Sequence, residues 1–228
     1  MGKPEFLELL TFHLGPLYID TTVLTTWLLM AGLTGLAWFG TRRLSVVSPT
    51  RLQTAFEGTV LALQAAIDGA APGYALRLLP FIGTLWLFVG VANLAGLVPG
   101  LRSPTGNLSV TVALAMLVFV SVHWFGIRID GLRAYLHHYL EPNPILLPFH
   151  LMGELTRTLA LAVRLFGNMM SLEMAALLVL LVAGFLAPVP LLMLHIVEAL
   201  VQSYIFGMLA LVYVAGALQS HELKKRSD

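Results

Sequence analysis

The sequence predicts an all-α integral membrane protein, a single membrane domain over residues 1–228 with about five to six transmembrane helices. Of the 228 residues, 58% are hydrophobic and only 11% are charged, whereas a soluble domain carries about 25% charged residues. The apolar residues also occur in runs of about 20, the length that spans a bilayer. A net charge of +1 gives no reason to expect a nucleic-acid partner. The absence of cysteine excludes disulfides and thiolate metal sites.

The first three spans are predicted by their apolar runs, at about residues 22–40, 78–98 and 108–127. The segment between the first two is too polar for the bilayer core. Its apolar residues recur at helical spacing, at Leu52, Phe56, Val60, Leu63 and Ile67. This pattern predicts an amphipathic helix over about residues 50–70 that lies at the membrane interface.

The last third of the chain is predicted to form two long helices. Residues 145–187 contain no convincing break after Pro148. At about 1.5 Å per residue this helix would be on the order of 65 Å long, about twice the ~30 Å hydrocarbon thickness. It must therefore divide into two spans or lie strongly tilted. The "APVP" sequence at 187–190 then turns the chain into a helix over about 191–219, and we expect the two helices to form a long tilted hairpin.

The distribution of basic residues predicts the orientation in the membrane. With five crossings, one side holds eight of the 13 lysines and arginines: Arg42, Arg43, Arg51, Arg128, Arg133, Lys224, Lys225 and Arg226. The other side holds Lys3 and Arg102. We therefore expect a cytoplasmic carboxyl end and an outside amino end. Because no targeting presequence is visible, we expect a bacterial inner (plasma) membrane.

Arg164 lies deep within the predicted helix 145–187. An arginine at the bilayer centre costs at least about 2.5–3.5 kcal/mol, and its guanidinium does not lose its proton. Arg164 must therefore face water or a partner group, and the alternative is an ion pair that holds two helices together. Arg157, three residues after Glu154, is better placed for a local ion pair of that kind.

Glu173 follows Arg164 by nine residues, which is half a turn out of phase on a helix. The two side chains therefore point to opposite faces, while Asn168 shares the face of Arg164. One face offers a permanent cation and the other a titratable carboxylate, which suits a moving partner on one side and a polar channel on the other.

His195, Glu198 and Gln202 form one polar stripe on the last helix because they are spaced three and four residues apart. An antiparallel hairpin brings Glu173 to the depth of His195 only if the two helices are staggered. Such a set is typical of a proton relay or of a lining for hydrated ions. The alternative is simple interhelical hydrogen bonding, worth about 0.6 kcal/mol a contact.

No metal, cofactor or catalytic site is expected from the sequence. His137, His138 and Glu141 lie in a polar connector, and His195 with Glu198 does not form the metalloprotease pattern. No phosphate-binding loop, serine-hydrolase motif or pair of intramembrane aspartates is visible. We therefore expect a protein that catalyses no bond chemistry itself.

Five segments, in order, resemble subunit a of the F-type ATP synthases, the membrane stator beside a rotating ring. They are "IDTTVLTTW", "NLAGLVPG", "SPTGNLSVTVALAMLVF", "EPNPILLPFHLMGELTRTLALAVRLFGNMM" and "HIVEALVQSYIFGMLALVY". The resemblance implies that Arg164 is the essential arginine that faces the ion-binding carboxylates of the ring. It implies that Gln202 packs near Arg164, that Glu173 and His195 form a polar pair in an aqueous half-channel, and that Asn168 is the asparagine of the RLFGN motif.

Glu198 is not assigned by the resemblance and is a candidate only through its place on the stripe. Leu172 stands where many family members have glycine, which leaves less room beside Glu173. The implied partners are a ring of small ion-binding hairpin subunits, peripheral-stalk subunits, membrane lipid and, indirectly, the catalytic head of the ATP synthase. The implied cargo is H⁺ or Na⁺, a choice made mainly by ligands in the ring.

Two other functions remain open at the level of sequence. A self-contained ion-coupled secondary transporter would place its substrate site between inverted repeats, and no repeat is visible. A purely structural assembly subunit would tolerate Glu173→Gln together with His195→Ala.

Overall fold

The computed structural model of the protein describes residues 13–14, 17–18, 21–42, 44–46, 49–98, 103–131, 147–183 and 189–225. Within them the chain is helical, apart from a hairpin of two-residue strands in which β1 (His13–Leu14) runs antiparallel to β2 (Leu17–Tyr18). The helices are α1 (Thr21–Thr41), α2 (Arg51–Ala70), α3 (Ala75–Ala95), α4 (Leu108–Asp130), α5 (Leu147–Ala183) and α6 (Val189–Lys225). The connector with His137, His138 and Glu141, and most of the "APVP" turn, lie outside these residues.

Five helices, α1 and α3 to α6, are long and apolar enough to cross a membrane. The predicted all-α integral membrane fold is therefore confirmed. The small amino-terminal hairpin was not predicted.

Helix α2 begins at a capped amino end, since the Thr50 hydroxyl accepts a hydrogen bond from the Gln53 backbone N–H at 3.3 Å. The apolar stripe predicted for this helix is buried only at its carboxyl end. Ile67 is buried, whereas Leu52 and Val60 are exposed. Phe56 and Leu63 are half-buried, so the stripe is only partly covered by the rest of the protein.

The core lies between α3, α4, α5 and α6, with α3 packed most extensively against α6 and α4 against α5. The α3–α6 contact depends on one close approach, because a Cβ added at Gly207 would lie 2.6 Å from Cδ2 of Trp86. A short loop between α3 and α4 carries a 3₁₀ helix at Pro104–Gly106. This 3₁₀ helix packs against α5.

The long helices depart from the predicted bounds. Helices α5 and α6 are each 37 residues long and unbroken, so α6 runs six residues past the predicted end at 219. At about 1.5 Å per residue each is about 55 Å long, so neither can stand upright within a ~30 Å hydrocarbon layer. Helix α4 extends to Asp130 and ends at Gly131, whose φ of +81° is a conformation that favours glycine.

Helices α5 and α6 are antiparallel and staggered. Asn168 contacts Gln202, while Glu173, further along α5, lies near the earlier residue His195 of α6. The stagger brings Glu173 and His195 to a common depth. The sequence analysis predicted that these two side chains could meet only with such a stagger.

Candidate functional site

Arg164 lies on the outer face of α5, away from the helical core. Its side chain is exposed, as are Val163, Met170 and Met174 beside it. A Cβ added at Gly167, one turn further on, would meet nothing within 4 Å. Among the described residues no ion pair reaches Arg164, so its charge is available to a group outside this chain.

Asn168 connects the arginine face of α5 to α6. Its Nδ2 donates a hydrogen bond to Oε1 of Gln202 at 2.7 Å. Gln202 is 2% exposed, and its Nε2 has no hydrogen-bond partner within the described part of the chain. An unsatisfied buried amide costs about 1–3 kcal/mol, so the contact with Asn168 satisfies only one end of this side chain.

Glu173 points to the opposite side, into the packed face of α5. Its Oε1 accepts a hydrogen bond from the Ser103 backbone N–H at 3.2 Å. The loop can approach this closely because Gly106 has no side chain. A Cβ there would lie 3.3 Å from Oε1 and 3.4 Å from Oε2 of Glu173.

His195 reaches the same pocket from α6. A Cβ added at Gly96 would lie 3.5 Å from Oε1 of Glu173 and 3.5 Å from Cε1 of His195. The buried imidazole lies with Nε2 3.4 Å from the backbone carbonyl oxygen of Asn93. That carbonyl only accepts hydrogen bonds, so Nε2 is the donor in this contact. The carboxylate and the imidazole therefore both lie beside Gly96.

A chain of buried side chains joins this pocket to α3. The hydroxyl oxygens of Ser103 and Thr105 are 2.6 Å apart, and Thr105 donates to Oδ1 of Asn93 at 2.7 Å. Asn93 in turn donates from Nδ2 to the Ala199 carbonyl at 3.3 Å. The Ser103 hydroxyl also donates to the Ala92 carbonyl at 2.9 Å, so these contacts hold the loop against α3 beside the Glu173 pocket.

Sequence reasoning did not identify Asn93, Ser103 and Thr105 as site residues. Two features of the sequence could have indicated them. The hydroxyl residues of "SPTGN" lie between two apolar spans, and Asn93 is an isolated amide side chain near the end of a span. The position of the loop against α5, however, depends on tertiary packing.

Glu198 is the predicted site residue for which the structure shows no contact with the other site residues. It is half-buried, and the described residues show no hydrogen bond or ion pair to it. It shares the stripe of His195 and Gln202 without joining either contact.

Glu154 and Arg157 lie near the other end of α5, on the walls of one small cavity. The ion pair that the structure shows for Glu154 runs to His123 of α4, with Nε2 and Oε2 3.3 Å apart. The guanidinium of Arg157 lies 6.0 Å from the ring centre of Tyr213. No group of three or more metal-ligating side chains occurs in the part of the chain that the structure describes.

An exposed arginine within a candidate membrane span, with partly buried titratable groups before and after it along the helix, is typical of integral membrane proteins that handle ions. Comparison with known proteins identifies the particular family. Residues 23–215 match the family model described as ATP synthase A chain. The chain is 64% identical over 214 residues to "ATP synthase subunit a 2" of Pelobacter propionicus, covering 94% of this chain and 93% of that protein. It is 53% identical over 228 residues to "ATP synthase subunit a" of Legionella pneumophila strain Corby, covering 100% and 99%.

The chain therefore belongs to the ATP synthase A chain family. The predicted resemblance to subunit a of F-type ATP synthases is confirmed. With five candidate spans and relatives from bacteria, it is an integral membrane protein of bacterial type.

Proposed function

We propose that this subunit moves H⁺ or Na⁺ between two half-channels by way of ion-binding carboxylates on a rotating ring, coupling ion flow to ATP synthesis or hydrolysis. The observation that carries the proposal is the exposed charge of Arg164 on an otherwise apolar face. The subunit binds no nucleotide in this mechanism. The catalytic head performs the bond chemistry.

Arg164 attracts each ring carboxylate when that carboxylate has released its ion. The attraction is strong because the surroundings are apolar and the arginine stays charged. Asn168 lies about one turn from the arginine along α5, and its hydrogen bond to Gln202 connects this face to α6.

The surface around Arg164 suits a partner made of apolar helices. Large exposed side chains continue along α5 and α6, at Leu159, Val163, Met170, Met174, Val197, Leu200 and Val201. Most of the apolar length of α5 is not buried within this chain. In a membrane this face must be covered by lipid or by another apolar protein. Because lipid tails offer no partner for the charge of Arg164, the proposal requires a protein there.

Two polar regions supply access from the two sides, and an apolar layer separates them. Glu173 and His195 lie near one end of α5 and Glu154 near the other. Between them Leu161 and Leu165 are fully packed against Phe206 and Leu211 of α6. An ion that crossed this layer would have to be desolvated, at a cost of many kcal/mol. The route past Arg164 on an external carrier avoids that cost.

The orientation follows from the basic residues, with the Glu173 pocket toward the outside and Glu154 toward the cytoplasm. The membrane potential then supplies about 2.3 kcal/mol per charge per 100 mV, so several ions must pass for each ATP. Peripheral-stalk subunits and lipid complete the surroundings of the subunit in the complex.

The test is ATP-driven ion uptake into vesicles that hold the whole complex, comparing the unmodified protein with Arg164→Ala, with and without sodium. We expect the variant to assemble and to lose coupled uptake. Arg77→Ala is the matched control because Arg77 is exposed in the first turn of α3, far along the chain from the site. Sodium dependence of the unmodified complex identifies the ion.

Normal uptake by Arg164→Ala would refute the proposal. The alternative of a self-contained secondary transporter predicts ion uptake without ATP and without the other subunits. Vesicles that hold this chain alone test that prediction. Membership of the ATP synthase A chain family speaks against that alternative.

A further inference from the structure

The corner between α1 and α2 carries basic and apolar side chains together on the protein surface. Arg42 and Arg51 flank the corner, and both are exposed. Between them Leu44 is largely exposed and Val46 is completely exposed, and Leu52 beside Arg51 is largely exposed as well. We call these five residues the corner patch. Apolar side chains as exposed as these are unfavourable in water, whereas the two cations require a polar environment, so the patch suits a boundary between an apolar and a polar layer.

The positive charge of the corner patch has no nearby carboxylate to balance it. Residues 21–56 contain no aspartate or glutamate, although they also include Arg43. Within the part of the chain that the structure describes, no ion pair reaches Arg42 or Arg51. Glu57 follows Arg51 by six residues, which places it about 120° away around α2. The patch therefore offers its cations to an anion from outside the chain.

One buried side chain fixes the backbone of the corner. Gln53 is 5% exposed, and its amide pairs with both backbone groups of Ser45. Oε1 accepts from the Ser45 N–H at 3.1 Å, and Nε2 donates to the Ser45 carbonyl at 3.0 Å. Helices α1 and α2 also approach closely, since a Cβ at Gly40 would overlap the ring of Phe56. The patch is therefore a structured surface, and a ligand that binds it causes little further ordering of the chain.

Two tryptophan–arginine pairs place the corner patch at a membrane interface. On α1 the guanidinium of Arg42 lies 3.5 Å from the ring centre of Trp38. On α4 the guanidinium of Arg128 lies 5.9 Å from the ring centre of Trp124. Both tryptophans are 60% exposed, and tryptophan is enriched at the level of the lipid headgroups. Each pair lies at the end of its helix that is predicted to be cytoplasmic, so the two pairs indicate the same boundary.

We propose that the corner patch binds the headgroups of anionic phospholipids in the leaflet on the side predicted to be cytoplasmic. The guanidinium groups of Arg42 and Arg51 bind phosphate oxygens, for which their planar donor geometry is suited. Leu44, Val46 and Leu52 contact the upper parts of the acyl chains. The patch selects lipids with a net negative charge, because the cation of a zwitterionic headgroup repels the arginines. This inference goes beyond the proposed function and does not depend on the route of the ion.

A lipid surface matches the corner patch better than an acidic protein segment does. The apolar side chains lie between and beside the two arginines and share their surface. An acidic segment in water would pair with the arginines but would leave Val46 and Leu52 exposed. An anionic leaflet offers a charged layer and an apolar layer next to each other, which is the arrangement that the patch presents.

The test identifies the lipid that lies beside the patch in the assembled complex, reconstituted in phosphatidylcholine vesicles. The chain contains no cysteine, so Val46→Cys gives it a single attachment point for a fluorescent label. Accessible cysteines of the other subunits are first replaced by serine. Brominated lipids quench a fluorophore that they contact. A minor fraction of brominated phosphatidylglycerol, which is anionic, is compared with the same fraction of brominated phosphatidylcholine.

We expect phosphatidylglycerol to quench the label more strongly than phosphatidylcholine. Arg42→Gln and Arg51→Gln should each lower this preference about fivefold, which corresponds to about 1 kcal/mol per basic residue at an anionic surface. The variant with both glutamines should lose the preference, whereas lysine at both positions should keep most of it because the charge remains. Arg77→Gln removes an exposed cation from the first turn of α3 and is the matched control, which should keep the full preference.

Four results would overturn the proposal. The first is equal quenching by the two lipids in the unmodified complex, and the second is a preference that the double glutamine variant keeps. The third is weak quenching by both lipids, which would show that protein covers the corner. The fourth is loss of the preference when inorganic phosphate is added at constant ionic strength, which would assign the arginines to free phosphate.

Salt dependence tests the same proposal without a change at the arginines. Rising salt screens attraction between exposed charges, so we expect the preference for phosphatidylglycerol in the unmodified complex to weaken as salt is added. A preference that is independent of salt would contradict a headgroup site formed by Arg42 and Arg51. Where a glutamine variant fails to assemble, this measurement decides.

Discussion

Gly106 provides a steric test of the Glu173 pocket. A Cβ at this position would lie 3.3 Å from Oε1 and 3.4 Å from Oε2 of Glu173, closer than an ordinary van der Waals contact. The carboxylate would have to move by a few tenths of an ångström. Gly106 is not among the glycines with positive φ, so Gly106→Ala acts through the occupied space and not through backbone strain.

The movement weakens the 3.2 Å hydrogen bond from the Ser103 N–H to Glu173. A hydrogen bond to a charged group contributes about 1.5–3 kcal/mol. A loss of about 1.4 kcal/mol of this stabilisation corresponds to about a tenfold change in the uptake rate. We therefore expect Gly106→Ala to slow ATP-driven uptake about tenfold per assembled complex, and Gly106→Val to slow it more. Gly35→Ala, where a Cβ meets open space, should leave the rate unchanged. A normal rate in Gly106→Val would refute the reasoning.

Two further predictions concern stability, measured as the temperature at which the purified complex dissociates. Asn168→Ala leaves both polar ends of the buried Gln202 without a partner and should cost about 1–3 kcal/mol. Gln202→Leu removes those groups and should cost less, so the reverse order would contradict the role assigned to this contact. Gly207→Ala places a Cβ 2.6 Å from Cδ2 of Trp86 and should cost about 1–3 kcal/mol by overpacking. Gly216→Ala, which meets open space, is its control, and equal dissociation temperatures for the two would contradict the prediction.

The helices were predictable because their signal is local. Apolar runs and helical spacing depend on neighbouring residues, and they located each of the six helices. The helix ends differ from the predicted bounds where a single residue sets the backbone conformation. Helix α4 continues past its apolar run to Gly131, whose positive φ stops it. Helix α5 remains unbroken over its 37 residues.

The site could be predicted only in part, because phase along a helix is local but contact between helices is not. The half-turn between Arg164 and Glu173 was evident from spacing, and the structure places the two on opposite faces. The depth of His195 against Glu173 depends on the stagger of α5 and α6, which spacing cannot give. The loop at Ser103 joins the pocket through backbone and hydroxyl groups, which leave almost no pattern in a sequence.

The unbroken length of α5 explains how one helix can serve both sides of a membrane. Glu154 and Glu173 are separated by nineteen residues, about 29 Å along the axis, which is close to the ~30 Å hydrocarbon thickness. This separation would place each carboxylate near one membrane face and Arg164 near the middle, as the proposed function requires. Among the described residues, the apolar packing around Leu161 and Leu165 lies between the two carboxylates. Under the proposed function, ions enter at both ends and cross the middle only on a carrier that moves past Arg164, which is the condition for ion flow to drive rotation.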